Sequence, residues 1–154
     1  MGVWERRYYA VLNAVMRLLL RSPLHGVRSH RLVLLEFRGR RSGRVYRMPV
    51  SYWQQSDAHI VCLTSSDWSR WWVNLDGTDL SIVLRGTTRT AHATLVNDPA
   101  LRRTLVSEFL RHNAHDAHHY GVGRGPGGQP TAEDLQTLAD SQSTKVISIA
   151  LSPI

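Results

Sequence analysis

Two apolar runs that read as β-strands, Leu32–Phe37 and Arg44–Gln54, flank Gly39-Arg40-Arg41-Ser42-Gly43, and this arrangement constrains the fold most tightly. Glycines at both ends of a short link suit a tight strand-to-strand turn. Gly39 and Gly43 can adopt positive φ at no steric cost, which would let the backbone N–H groups point inward as a nest. The Ser42 hydroxyl and the guanidinium groups of Arg40, Arg41 and Arg44 would then converge on an anion. A planar guanidinium matches a phosphate or carboxylate with two hydrogen bonds, which lysine cannot do. The competing reading is a basic turn that is simply solvated.

The same strand pattern continues along the chain. Ala58–Thr64, Leu80–Arg85, Thr88–Val96 and Lys145–Leu151 read as further strands, with Ser56-Asp57 and Gly86 at turns. In Arg44–Gln54, Val45, Arg47, Pro49, Ser51 and Trp53 face opposite to Tyr46, Met48, Val50 and Tyr52. Pro49 places this run at an edge or a bulge, where backbone can face a ligand. The stretch from Ser65 to Gly77 reads as a loop leading into one or two helical turns closed by Gly77.

Asn97-Asp98-Pro99 opens a helix whose apolar face is Leu101, Leu105, Val106 and Phe109. A glycine-rich flexible loop, Gly121–Pro130, precedes a short helix at Thr131–Ser141. Residues 3–21 carry apolar side chains at helical spacing with arginines interspersed, and Ser22-Pro23 stops them. This lead-in helix reads as a cap on the open end of a sheet, or as an anchor touching a membrane surface through residues 1–21. Strands in hairpin order with helices set apart predict one α+β domain over residues 1–154, built on a closed antiparallel barrel of five or six strands.

Charge narrows the range of partners. The formal net charge is +7, almost all of it from arginine, with Lys145 the only lysine. An anionic partner follows: nucleic acid, an acidic membrane face or a multiply charged cofactor. No RNP-like or oligonucleotide-groove signature surrounds the aromatic residues, so nucleic acid is not expected. The single cysteine, Cys62, excludes an internal disulfide and suits a reducing, cytoplasmic interior. It lies in an apolar run and reads as a buried, inert thiol. No run of about 18 apolar residues is present to span a membrane, and the N-terminus lacks the cleavage site of a signal peptide.

The succession Leu32–Phe37, Gly39-Arg40-Arg41-Ser42-Gly43, Met48-Pro49-Val50 and Trp71-x-x-Asn74-Leu75 resembles the deazaflavin-dependent nitroreductase family. These are split-β-barrel oxidoreductases that use coenzyme F-420. The similarity runs from about residue 18 to about residue 112, with a comparable last strand. It implies a six-stranded barrel with the cofactor's phosphate on the Arg40, Arg41, Ser42, Gly43 and Arg44 turn. The deazaflavin ring would lie against Met48, Pro49 and Val50. The Ser65 and Ser66 backbone would approach the ring edge, with Trp71 and Asn74 close by. A small electron-poor substrate of quinone, nitro or enone type would accept the hydride, and no metal is needed. FMN is the alternative cofactor, since it too carries a phosphate and a tricyclic ring. A non-catalytic flavin, heme or membrane-surface protein is the alternative function. A homodimer is expected where open sheet edges seek a partner.

The chain departs from the family in two places. Ser65–Arg70 lacks the family's usual glycine and proline, and the usual tyrosines after the long helix are replaced by His112–Tyr120. Tyr120 and His119 match the substrate-lining segment and are candidate proton donors. His112, His115, Asp116 and His119 would share a face of a continuous helix, a spacing that also suits a metal, although no cysteine pair completes a site. A polar helix end is the plainer reading.

Overall fold

Each apolar run between turn residues becomes a strand, and every strand joins one antiparallel sheet. The computed structural model describes residues 31–123 and 125–154; the helix expected over residues 3–21, with its membrane alternative, lies outside them. The strands are β1 (Leu32–Arg38), β2 (Val45–Ser51), β3 (Trp53–Ser56), β4 (His59–Ser65), β5 (Thr78–Leu84), β6 (Thr87–Leu95) and β7 (Thr144–Leu151). Two α-helices, α1 (Pro99–His112) and α2 (Ala132–Asp140), lie between β6 and β7, and a 3-10 turn, Trp71–Asn74, precedes β5.

The sheet order is β2-β1-β5-β6-β7-β4-β3, which makes seven strands where six were expected. The extra strand comes from the run Arg44–Gln54. Its first part pairs with β1, Leu35 opposite Met48 and Phe37 opposite Tyr46. Beyond Tyr52 it pairs with β4, Trp53 opposite Val61. Apolar alternation continues smoothly across this exchange of partners, so periodicity alone cannot reveal it. The two outermost strands of the order are therefore consecutive stretches of chain, and the sheet curls until its edges meet at Tyr52.

That corner is pinned from three sides. Tyr52 N–H donates to the Arg31 carbonyl (3.2 Å), Asn113 Nδ2 donates to the Tyr52 carbonyl (3.3 Å), and Arg85 Nε donates to the Tyr52 hydroxyl (3.3 Å). Pro49 lies on edge strand β2, opposite Leu34 of β1, as its missing donor requires.

The alternation of β2 emerges as expected, with Met48, Val50 and Tyr52 turned toward the inside of the curl. There they join Val33, Leu35, Phe37, Ile82, Ile147 and Ile149 in the main core. The outer face of β4 and β7 presents Val61, Leu63 and Val146 to the helices, against Leu105, Val106, Phe109 and Leu110 of α1 and Leu135 and Ala139 of α2. Asp98 caps α1 by accepting from the Leu101 N–H at 2.8 Å, with Pro99 in the first turn. Leu101, expected on the buried face, is exposed; it sits in the first turn, ahead of the stretch that packs on the sheet.

Arg102 ties the helical layer together. Its Nη2 donates to the carbonyls of Ala139 (2.9 Å), Ser141 (3.1 Å) and Thr144 (3.0 Å). These carbonyls end α2 and begin β7. Among the described residues, no helix is long and apolar enough to cross a membrane.

Candidate functional site

The turn between β1 and β2 closes on itself. Gly39 N–H donates to the Arg44 carbonyl and Gly43 N–H to the Gly39 carbonyl, both at 2.9 Å. Arg44 N–H donates to Ser42 Oγ (3.2 Å), and Arg38 Nη1 to the Gly43 carbonyl (3.2 Å). Gly43 takes a φ of 63°, as anticipated. Gly39 is glycine for a different reason: its φ is not positive, but a Cβ there would come within 2.7 Å of both Ser42 Oγ and Tyr46 Cε2. Gly39→Ala is therefore expected to push the Tyr46 ring off Phe37, its stacking partner at 5.8 Å. The expected loss is about 1–3 kcal/mol by thermal or urea unfolding; unchanged stability would show that the turn yields freely.

Most backbone donors of the expected nest are spent internally. The N–H groups of Arg41 and Ser42 remain without a partner in the turn, as do the exposed guanidinium groups of Arg41 and Arg44. Arg40 differs from its neighbour. Its N–H donates to Asn74 Oδ1 (3.0 Å), and its Nη2 donates to the Asp76 carbonyl. Arg47, across the strand pair, forms an ion pair with Glu36 on the outer face.

These contacts bring the arginine turn and the Trp-x-x-Asn element together. Asn74 Nδ2 donates back to the Trp71 carbonyl (3.2 Å), and Asp76 Oδ1 accepts from Leu95 N–H (2.9 Å), which fixes the segment to β6. Trp71, Trp72 and Met48 are partly buried against the main core, and Val50 lies within it. Pro49 points to the other face.

The loop after β4 forms another part of the rim. Ser65 is buried, its carbonyl accepting from Ser69 N–H (3.0 Å) and its Oγ from Asp67 N–H (3.2 Å). Ser66 N–H donates to the Ser143 carbonyl (2.8 Å), and Trp72 Nε1 to the Ser69 carbonyl (3.2 Å). The turn, the 3-10 segment and this loop thus sit around one end of the curled sheet, where β1, β4 and β6 finish and β2, β5 and β7 begin.

The proposed proton donors are placed differently. Tyr120 packs on the outer cluster and meets the loop through Trp68, ring centroids 5.9 Å apart. His119 is exposed and its ring lies 3.8 Å from that of His118. The histidine group expected on one helical face is dispersed, because α1 ends at His112, Asn113 leaves helical geometry, and Ala114–Tyr120 winds as a 3-10 helix. His112 lies parallel to Trp53 at 5.2 Å, and His115 Nε2 is 3.1 Å from Asp116 Oδ1. Among the described residues, no group of three His, Cys, Asp or Glu side chains is gathered to hold a metal.

Burial, followed by the charges of Asp116 and Cys62, pushes the Tyr120 phenol well above its ordinary value of 10.0. Burial alone raises the Cys62 thiol well above 9.0. Folding holds both groups protonated, so their stabilisation is complete below those ordinary values and is lost as pH rises through and beyond them. The unfolding midpoint is therefore expected to fall above about pH 9–10, and Tyr120→Phe should reduce that fall. An identical alkaline profile in the variant would contradict the assignment.

A cavity of about 830 Å³ opens beside the base of the turn, with Phe37, Arg38, Val45, Thr78, Asp79 and His92 among its lining. Another, of about 710 Å³, lies between α1 and α2. The expected cofactor-binding residues line neither of them. The residues that sequence reasoning missed at the site are Asp76, Thr64, Ser69 and Lys145; only Lys145 carried a signal, as the sole lysine.

No protein-family model matches the chain, and no curated protein is significantly similar to it. Solved structures do share its fold. A putative pyridoxamine 5'-phosphate oxidase from Listeria innocua aligns with a TM-score of 0.51 at 10% identity, covering 92% of this chain and 94% of that one. The heme storage protein HutZ from Vibrio cholerae gives 0.50 at 15% identity, over 87% and 92% of the two chains. A conserved hypothetical protein from Mycobacterium tuberculosis gives 0.51 at 18% identity, over 82% and 76%. The class defined is a split-barrel-like, curled antiparallel sheet with peripheral helices. At these identities the likeness is one of fold.

Proposed function

We propose that this protein is a reductase that uses the reduced deazaflavin F-420 to reduce a small electron-poor molecule of quinone, nitro or enone type. The observation that carries the reading is the division of labour in the turn. Arg40 is committed to Asn74 and Asp76, while the guanidinium groups of Arg41 and Arg44 and the N–H groups of Arg41 and Ser42 are unspent. Forked cations and backbone donors on one short loop form the donor set that a phosphate ester requires. The donor set of the turn suits the phosphate of that group.

When bound, the deazaflavin would supply the hydride, and the chain's residues do the rest. Arg41, Arg44 and the Ser42 hydroxyl would hold the phosphate. Arg40 locks the turn to the Trp71–Asn74 segment, so the grip cannot drift from the barrel mouth. Met48, Val50 and Trp71, which pack on the main core, would offer the ring an apolar face and exclude water from it. Tyr120, partly buried on the outer cluster and touching the loop after β4 through Trp68, would keep its proton through the neutral range. It or the exposed His119 could serve as proton donor only to a substrate that reaches that side of the loop.

A fluorescence-quenching titration of the purified protein with F-420 tests the reading. Binding at or below tens of micromolar is expected; none at that concentration would end it. The fold shared with a heme storage protein favours a second reading, a non-catalytic carrier. FMN and hemin belong in the same titration, and binding of either without F-420 would favour the carrier or a flavin enzyme.

A further inference from the structure

We infer that the barrel mouth contains a second oxyanion subsite, formed by the Lys145 ammonium beside Trp72, on the far side of the 3-10 turn from the arginines. Lys145 alternates along β7 with Ile147, Ile149 and Leu151, all in the main core, so its side chain lies on the inner face of the curled sheet. It is the inward residue nearest the open end. Lys145 is partly buried, and its cross-strand partner on β4 is Thr64, which is buried and has its Oγ1 2.5 Å from Ser69 Oγ.

The ammonium stands 4.8 Å from the centroid of the Trp72 ring and donates to the Gln142 carbonyl at 2.7 Å. A lysine ammonium has three donors, and Lys145 forms no ion pair among the described residues. An inward-facing cation with spare donors, held by an aromatic face and lacking a carboxylate, is poised for an anion brought by a ligand.

The position of Trp72 links the two grips. It shares its short helical turn with Asn74, which holds Arg40, and its Nε1 donates to the Ser69 carbonyl. A ligand seated between the arginine turn and Lys145 would thus meet positive charge at both ends. The ligand chemistry is a carboxylate or phosphate, borne either by the acidic tail of the cofactor or by a separate acidic substrate. The inference rests on the proposed reading only in taking this mouth as the ligand site.

Because Lys145 is the only lysine, an amine-selective acylating reagent followed by peptide mass spectrometry reports its occupancy directly. The full chain would be labelled alone and with F-420, benzoate or benzyl alcohol. Benzoate or F-420 is expected to slow acylation of Lys145 by about fivefold or more at saturation, and benzyl alcohol should have no effect. Protection by F-420 that Arg41→Ala removes would assign the anion to the cofactor tail. Benzoate protection that survives Arg41→Ala would assign it to a second molecule, and that arm stands even if F-420 does not bind. Lys145→Met, folded as judged by thermal unfolding, should weaken benzoate binding measured by ligand-observed NMR by a similar factor. Equal acylation rates in all four samples would overturn the inference.

Discussion

Arg41→Ala is expected to weaken F-420 binding by roughly 1.5–3 kcal/mol, the range for a hydrogen bond to a charged group, or about 10- to 150-fold in Kd. The prediction follows from what each cation in the turn already does. Arg38 is folded onto the Gly43 carbonyl, Arg40 is fastened to Asn74 and Asp76, and Arg47 is paired with Glu36. Only Arg41 and Arg44 bring an uncommitted fork to an incoming phosphate. Arg41→Lys should recover part of the loss, because the charge persists while the two-pronged geometry does not. Arg47→Ala should leave Kd unchanged, since that side chain faces away from the mouth. Quenching titrations on the three variants measure this, and equal affinities throughout would show that the turn is solvated and grips nothing.

Arg102→Met is expected to cost about 2–4 kcal/mol of folding stability, lowering the unfolding midpoint by roughly 4–16 °C for a chain of this size. The methionine keeps the apolar stem and removes the guanidinium. What is lost is the charged contact to three carbonyls from three successive stretches: the end of α2, the link after it and the first residue of β7. A cation at a helix C-terminus also opposes the helix dipole favourably. Arg102→Lys should recover only a fraction, because one ammonium cannot span the same set. Thermal unfolding of both variants decides; a shift below about 2 °C for the methionine variant would mean that the carbonyls are served equally well by water.

The strands were legible because turn chemistry and alternation mark them locally. Gly39 to Gly43, Asp57 and Gly86 fall between observed strands, Ser56 ends β3, and Asp98-Pro99 opens α1 where a cap and a first-turn proline belong. The exchange of partners at Tyr52 was illegible for a physical reason: which neighbour a strand takes depends on the curl of the whole sheet, not on the strand's own residues. The arginine turn was recognisable as a cationic loop, but its internal assignment was not. Nothing in the order Arg40-Arg41 says that the first is anchored to a segment 34 residues away while the second stays free. The histidine stretch failed as a cluster because it presumed an unbroken α-helix through Asn113. Arg102 carried no signal at all, since an arginine in a helix reads as surface charge until its acceptors are brought to it.

The joint at Tyr52 behaves as a clasp on a bracelet. With the two outermost strands fused end to end, the girth of the interior cannot change by letting one edge peel away; widening has to strain the clasp itself. Asn113 holds that clasp from the end of α1, so the helices brace the diameter of the compartment from outside. A molecule too broad for it would be turned away by the backbone, whatever its charge.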